Sequence, residues 1–314
     1  MKTGFLPNSL SPGPRRGMVL LSVLLVSLFL LSASTGFALF VRSSMRRFDR
    51  EQRLFTARMV CEALLPAAKE IILLHPGGAH SPLDEDFALR TVSFPDAGVL
   101  VNLSILPLDD GIPLNKLFLP DGRTLRTELE DPWEKLWKEL GAENLGKPVL
   151  DFIDSDREPR LGGEERDDFP NRPLLSLKEL LFVPGMTEQI LRGGGKGKGL
   201  ASLGTLWSGG KINVNSAPPA VLALLSGLDG RAAAAVAEGR IRKPFASMDD
   251  LTALADFPAS AVPGLVNLLS FTSAYFKISL EVVFADGERV PLEIILDCSS
   301  SIPATVRWEE QSDG

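Results

Sequence analysis

Hydrophobic and polar positions predict a long N-terminal helix at the start of this chain. The run from Met18 to Val41 covers 24 residues, and its only polar side chains are serine and threonine hydroxyls. At ~1.5 Å per residue, a helix of that length crosses a hydrocarbon layer ~30 Å thick. Apolar residues at helical spacing then continue, opposite a polar face, up to the helix-ending segment HPGG at 75–78. The pattern predicts one helix of about 57 residues, membrane-spanning over 18–41 and amphipathic over 42–75.

Beyond this helix the pattern predicts a helical domain inserted into a sheet. Short alternating segments within 76–130 predict strands and loops, and helix-capping patterns dominate 131–270. Two similar segments, PLLSLKEL at 173–180 and PFASMDDL at 244–251, lie 71 positions apart and indicate an internal duplication. Two alternating runs around an Asp-Gly turn then predict an antiparallel strand pair within 271–299. The polar tail, 300–314, is expected to be disordered.

Charge and cysteine content narrow the possible functions. The formal net charge is −7, which argues against general nucleic-acid binding because such proteins present a basic face. Two cysteines, Cys61 and Cys298, are too few for a disulfide scaffold or a cysteine-type zinc site. They lie near the two ends of the region after the membrane segment, so both a Cys61–Cys298 disulfide and two buried free thiols are consistent with the sequence.

The acidic segment 151–168 is the strongest candidate for metal binding. It holds eight acidic residues against three arginines, with a Gly-Gly pair between its two acidic halves. A hard divalent cation takes six to eight oxygen ligands, several of them carboxylates on one loop. Pro159 stands where an EF-hand needs glycine, so that loop type is excluded. A calcium site and a solvated acidic loop both fit this pattern.

Other segments favour neither catalysis nor DNA binding. The histidines, His75 and His80, flank a loop, and no serine or cysteine stands in a nucleophile-elbow context. The chain is therefore predicted not to be an enzyme. Residues 211–251 resemble helix-hairpin-helix units, which bind DNA phosphates at a helix N-terminus. Asp229 occupies the place of the second glycine of that motif, and its charge repels phosphate, so this unit is interpreted as a protein-packing fold.

The N-terminus resembles a type IV pilin-like signal. In that class, a prepilin peptidase cuts after the glycine of a basic leader, here RRG, and leaves the apolar helix on the mature protein. The resemblance implies a leader at 1–17 and cleavage between Gly17 and Met18. Pilins usually carry glutamate at the fifth mature position, where this chain has Ser22.

Nearly the whole chain, from Arg15 to Asp297, resembles the general secretion pathway protein K family, the minor pseudopilins of type II secretion. The resemblance is carried by RRGMVLLSVLL, DDGIPLNKL, DFIDSDREP with GGEE, PLLSLKELLFVPGMT, KINVNSAPPAVLALL and PFASMDDL. It implies an α+β fold in which a pilin-like long helix packs on an antiparallel sheet, with a large duplicated helical insert. The absence of glutamate at Ser22 also matches this family.

The resemblance further implies partners, a metal and a location. Members sit at the tip of a periplasmic pseudopilus with the minor pseudopilins I and J, anchored by one helix in the bacterial inner membrane. They bind calcium in the insert. Residues of the acidic segment matching that motif are Asp154, Asp156 and Glu165, with Glu158, Asp167 and Asp168 as further candidates. The alternative function is a membrane-tethered DNA-binding receptor that uses the hairpin unit.

Overall fold

The computed structural model describes residues 15–74, 87–195, 197–300 and 302–310. The α-helices are α1 (Arg15–Leu73), α2 (Thr127–Glu139), α3 (Gly146–Ile153), α4 (Glu188–Arg192), α5 (Pro219–Leu222), α6 (Gly230–Arg242), α7 (Met248–Thr252) and α8 (Val262–Leu265). The strands are β1 (Arg90–Phe94), β2 (Val99–Pro107), β3 (Ile112–Pro113), β4 (Gly204–Thr205), β5 (Ile212–Asn213), β6 (Leu269–Ser270), β7 (Tyr275–Phe284), β8 (Arg289–Asp297) and β9 (Ala304–Glu310). A long N-terminal helix combined with an antiparallel sheet confirms the predicted fold class.

The chain forms two units, Met1–Met59 and Val60–Gly314. The described part of the first unit consists of α1, and the helical segment Met18–Leu73 is long and apolar enough to cross a membrane. Its apolar side chains before residue 41 are exposed, as expected for a surface that meets lipid. The leader 1–17 lies largely outside the described residues, and the HPGG segment lies outside them entirely.

The second unit contains the last turns of α1 and a five-stranded sheet. Val60, Cys61, Ala68 and Ile72 recur at helical spacing and are buried, and Pro66 lies inside α1 without ending it. The strand order is β1-β2-β7-β8-β9, and all neighbours are antiparallel. Alternate residues are buried along β2, β7 and β8, so one face of the sheet belongs to the core.

The helical domain is inserted between two neighbouring strands, β2 and β7. The amide of Leu108 donates to the carbonyl of Tyr275 over 2.9 Å, so the chain leaves and rejoins the sheet at adjacent points. The prediction placed the insert at 131–270, and this boundary is wrong because residues 108–130 and 271–274 also belong to it. Ile112 and Leu117 lie in the core of the insert rather than in the pilin-like sheet. Ile112 belongs to the two-residue strand β3, which pairs in parallel with β4, and so short a strand leaves no periodic signal.

The insert consists of two related units, each enclosed by a short parallel strand pair. The first pair is β3 with β4, and the second is β5 with β6. Asn115 follows β3, and Asn215 follows β5 at the equivalent place, 100 positions later. Asn115 bonds the amide and carbonyl of Leu174 and the carbonyl of Leu206. Asn215 makes the same three bonds, and together they support the predicted duplication.

In the second unit, the partners of the asparagine side chain are the amide and carbonyl of Phe245 and the carbonyl of Phe271. Each unit continues into a serine-capped helix, where Ser176 accepts from the Lys178 amide and Ser247 from the Asp250 amide. The acidic segment follows α3 and precedes the capped helix of the first unit. In the second unit, α6 leads almost directly into the equivalent helix.

The tail forms a strand, contrary to the prediction of disorder for 300–314. Strand β9 pairs with β8, and Trp308 lies opposite Ile294. The hydrogen bonds of an otherwise open sheet edge stabilise this polar segment, although its own sequence carries little apolar character. Residue 301 and residues 311–314 lie outside the described part of the chain.

Candidate functional site

Helix α3 positions the first carboxylates of the acidic segment. Asp151 lies in its last turn and Asp154 is its C-cap residue, and both are almost completely buried, at 0% and 1% exposure. Burial, the largest influence, raises the pKa of Asp154 to about 6 and also raises that of Asp151. Two neighbouring buried carboxylates at the negative end of a helix need a compensating positive charge.

Arg160 supplies part of that charge. Its Nη2 lies 2.8 Å from Asp154 Oδ2, and its Nε lies 3.3 Å from Asp151 Oδ1. Its main-chain amide also donates to both carboxylate oxygens of Asp151, at 3.3 and 3.2 Å. The same Nη2 donates to the carbonyl of Arg123 over 2.6 Å, and the guanidinium lies 5.2 Å from the ring centre of Phe118. Arg160 thus joins the acidic segment to the loop at 118–125.

A second arginine pairs with the outer carboxylates. Arg123 Nε lies 2.6 Å from Asp156 Oδ2, and its Nη2 lies 3.2 Å from Glu158 Oε2. The amide of Glu158 donates to Asp156 Oδ1, and this hydrogen bond contributes most to the lowered pKa of Asp156. Asp156 therefore faces the site as a carboxylate, whereas Glu158 is exposed at its edge.

Asn171 connects the two halves of the segment. Its Nδ2 donates to the main-chain carbonyl of Asp156 over 2.6 Å and to Glu165 Oε1 over 2.9 Å. Its φ of 46° lies in the left-handed region, which asparagine adopts more readily than most residues. Close packing also shapes the turn, because a Cβ at Gly163 would overlap the Asp151 carboxylate.

Three buried oxygens in this region have no hydrogen-bond donor among the described residues: Asp154 Oδ1, Glu165 Oε2 and Asn171 Oδ1. An unpaired buried oxygen is costly, whereas a hard cation satisfies carboxylate and amide oxygens together. The donor set therefore fits calcium. Within the described ranges, no three His, Cys, Asp or Glu side chains form a preassembled metal cluster. Besides the carboxylates, this region contains two further oxygens of the type that calcium binds, the side-chain oxygen of Asn171 and the main-chain carbonyl of Asp156.

The structure divides the predicted metal ligands into two groups. Asp154 pairs with Arg160, and Asp156 pairs with Arg123. Glu165 accepts from Asn171, whose Nδ2 also donates to the main-chain carbonyl of Asp156. Asp167 and Asp168 are exposed, and Asp168 pairs with Arg166 over 3.1 Å. Sequence reasoning did not select Asp151 or Asn171 as site residues. Asn171 lies beyond the acidic run, and only its position near the Gly-Gly turn could have suggested it.

In the helix-hairpin-helix-like segment, an acidic side chain occupies the helix N-terminus that would otherwise bind an anion. The Asp229 side chain accepts hydrogen bonds from the amides of Arg231 and Ala232 at the N-terminus of α6. These amides are the groups that would meet a phosphate in a DNA-binding hairpin. The contact favours the interpretation of this segment as a protein-packing unit.

The remaining predicted residues are placed as follows. Cys61 and Cys298 are both free, the first buried and the second half-buried, and their pairing stays a prediction. Burial raises the pKa of Cys61 to about 12 and that of Cys298 to about 11. Met18 lies within α1, where its carbonyl accepts from Ser22 Oγ over 2.9 Å. Cleavage at Gly17 stays a prediction as well.

Part of the chain matches a known protein family. Residues 212–271 match the model of the family described as type II secretion system (T2SS), protein K. This range runs from the first residue of β5 to the residue after β6, and so covers the second unit of the insert. Among curated proteins, no sequence matches the chain.

The fold is similar to that of a chain in the crystal structure of the GspK-GspI-GspJ complex from the enterotoxigenic Escherichia coli type 2 secretion system. The TM-score is 0.63, and the match covers 85% of this chain and 100% of that chain at 17% identity. The likeness at this identity is one of fold. In sequence, the chain is similar to the type II secretion system protein K family over residues 212–271, one unit of the insert. That family is a structural component of the secretion system rather than a known enzyme family.

Proposed function

We propose that this chain forms the tip of a type II secretion pseudopilus together with the minor pseudopilins I and J, and helps to start its assembly. The family match over the second unit of the insert is the observation that carries the proposal. The structural match to a chain of the GspK-GspI-GspJ complex supports the choice of partners. Its role is one of assembly for protein export, not of catalysis.

The N-terminal helix is the proposed membrane anchor and processing site. A prepilin peptidase removes the leader 1–17, and the segment 18–41 then holds the mature chain in the bacterial inner membrane by a single span. The remainder of the chain lies in the periplasm. The exposed apolar side chains of α1 support this assignment.

Ser22 supports a terminal position in the filament. In an assembled pseudopilus, the positive amino terminus of one subunit lies in apolar surroundings, where an unpaired charge is costly. A glutamate at the fifth mature position compensates that charge, but the Ser22 hydroxyl donates to its own helix instead. Docking beneath another subunit therefore gains less for this chain, and the large insert would crowd neighbours along a thin filament.

Calcium is the proposed ligand of the acidic segment. Asp154, Glu165 and Asn171 would hold it through their unpaired oxygens, with Asp156 beside them. A bound calcium ion would neutralise the carboxylates and tie the segment together. The chain itself holds these oxygens in place, because Asp154 caps α3 and Asn171 donates a hydrogen bond to Glu165.

Two measurements test the proposal. Co-expression of the full chain with a prepilin peptidase should give a membrane product whose N-terminal mass begins at Met18. An intact Met1 terminus, with the peptidase active on a control pilin, would leave a plain membrane anchor. Affinity purification of the mature chain should recover the I and J pseudopilins together. Recovery of neither partner from membranes containing both would contradict the tip assignment.

The Ser22→Glu variant examines the tip position itself. Crosslinking should then find the variant at internal filament positions as well as at the tip, since it carries the compensating carboxylate. An unchanged crosslinking pattern would remove Ser22 from the explanation. Ser22→Gln, of similar size and no charge, is the matched control variant.

A further inference from the structure

We propose that Arg160 is an internal counter-ion of the calcium site that lowers its affinity for the metal. The inference rests on the calcium site proposed above and names its regulation. In the absence of a cation, the guanidinium neutralises Asp151 and Asp154. Calcium must bind beside this charge or displace it.

Asp154 is shared between the arginine and the proposed metal. Its Oδ2 accepts from Arg160 Nη2 at 2.8 Å, while its Oδ1 is buried and has no donor in the described part of the chain. A metal at Oδ1 would bind the same carboxylate as the guanidinium. Two positive charges that share one buried carboxylate repel each other strongly, because little water screens them.

Arg160 is held in place by groups other than these acids. Its Nη2 also donates to the Arg123 carbonyl, its guanidinium lies near the Phe118 ring, and its side chain is only 27% exposed. Moving the guanidinium away would break these contacts. Whether it stays or moves, calcium binding costs more than it would beside an uncharged residue, so Arg160 sets the calcium concentration at which the site fills.

Arg166 is a matched control in the same segment. Its guanidinium pairs with Glu164 over 3.7 Å and with Asp168 over 3.1 Å, and its side chain is 45% exposed. Replacing Arg166 with glutamine removes the same formal charge from the segment as Arg160→Gln does. It leaves the contacts of Asp151 and Asp154 unchanged, so a general effect of net charge would appear in both variants.

The test is a calorimetric titration of calcium chloride into the full chain in detergent micelles. We expect Arg160→Gln to bind calcium about tenfold more tightly than the wild type, and Arg166→Gln to stay within about threefold. Equal or weaker binding by Arg160→Gln, with the wild type binding, would overturn the counter-ion role and leave the calcium site standing. If the wild type binds no calcium but Arg160→Gln does, the arginine blocks the site, which supports the inference.

If neither protein binds calcium, the proposed site and the inference both fall, while the assignment to the pseudopilus tip is unaffected. A second measurement applies if Arg160→Gln folds poorly without calcium. Circular dichroism should show a larger calcium-dependent rise in melting temperature for Arg160→Gln than for the wild type. A variant that stays unfolded at saturating calcium would overturn the inference, because Arg160 would then be required to form the site.

Discussion

Replacing Asn215 with alanine is a direct test of what holds the second unit of the insert together. Asn215 is completely buried, at 0% exposure. Its Nδ2 donates to the carbonyls of Phe245 and Phe271, at 2.8 and 3.3 Å, and its Oδ1 accepts from the Phe245 amide at 2.8 Å. One side chain therefore joins the strand β5 to the start of the capped helix and to the return strand.

The size of the effect follows from the groups that lose a partner. Alanine leaves the amide and carbonyl of Phe245 and the carbonyl of Phe271 without these bonds in a region that water reaches poorly. Each such buried group costs about 1–3 kcal/mol. Because the three bonds act on one side chain and their costs are not additive, we expect a loss of about 3–5 kcal/mol in the free energy of unfolding.

Asn115→Ala is the matched comparison because Asn115 makes the same three bonds in the first unit. Asn115 is only half-buried, so water can replace part of what the side chain provided. We expect a loss of about 1–2 kcal/mol for this variant. Tryptophan fluorescence reports on unfolding of the insert, since Trp133, Trp137 and Trp207 all lie within it.

Chemical or thermal unfolding of the two full-length variants in the same detergent gives the comparison. For a domain of this size, the Asn215 loss corresponds to a drop of roughly 10 °C in melting temperature. Losses of equal size for the two variants would refute the argument from burial. A loss below about 1 kcal/mol for Asn215→Ala would show that the three bonds contribute little.

Three further variants test other parts of the structure. Asp109→Asn should destabilise the junction of sheet and insert by about 2–4 kcal/mol, because the buried carboxylate accepts from the amides of Gly209, Ala274 and Tyr275; an unchanged melting temperature would contradict this. Burial raises the pKa of Asp110 to about 6, so its protonated form stabilises the fold at low pH and that contribution is lost as the pH rises from about 4 through about 6. Asp110→Asn should thus raise the melting temperature at pH 7.5 and leave it unchanged at pH 4; an equal rise at both pH values would exclude titration as the cause. Gly163→Ala should weaken calcium binding about tenfold, because the added Cβ would overlap the Asp151 carboxylate, and unchanged calorimetric affinity would count against the site as drawn.

Long periodic segments were predictable from the sequence, and very short ones were not. The helix α1 and the hairpin of β7 and β8 carry many residues of one period, so their type follows from the pattern. Strands β3 and β5 have two residues each and leave no period to detect. Because these strands were not predicted, the start of the insert was predicted at Asp131 instead of Leu108.

The duplication was only partly visible for a similar reason. The capped helices repeat at a spacing of 71 positions, whereas Asn115 and Asn215 repeat at 100. The acidic segment lengthens the first unit between these points, so a search at one fixed period misses the asparagines. Their equivalence appears only when the hydrogen bonds are compared.

Composition identified the candidate site, but it could not show which acids face inward. Asp154 and Glu165 were selected within the acidic run through the family resemblance, and both have an unpaired buried oxygen in the structure. Asp167 and Asp168 belong to the same run and point to solvent. Which acids face inward depends on Asn171 and Arg160, and only the folded loop brings these two residues into contact with Glu165 and Asp154.

The position of the insert within the sheet has a consequence for the order of folding. Strands β2 and β7 are neighbours, yet Pro107 pairs with Phe276 across the whole length of the insert. Closing so long a flexible loop has an entropic cost, and sheets built from distant segments fold slowly. An insert that has already folded brings Leu108 and Tyr275 together and removes most of that cost. During synthesis the insert also emerges before β7, β8 and β9, so we expect it to fold first and the sheet to be completed upon it.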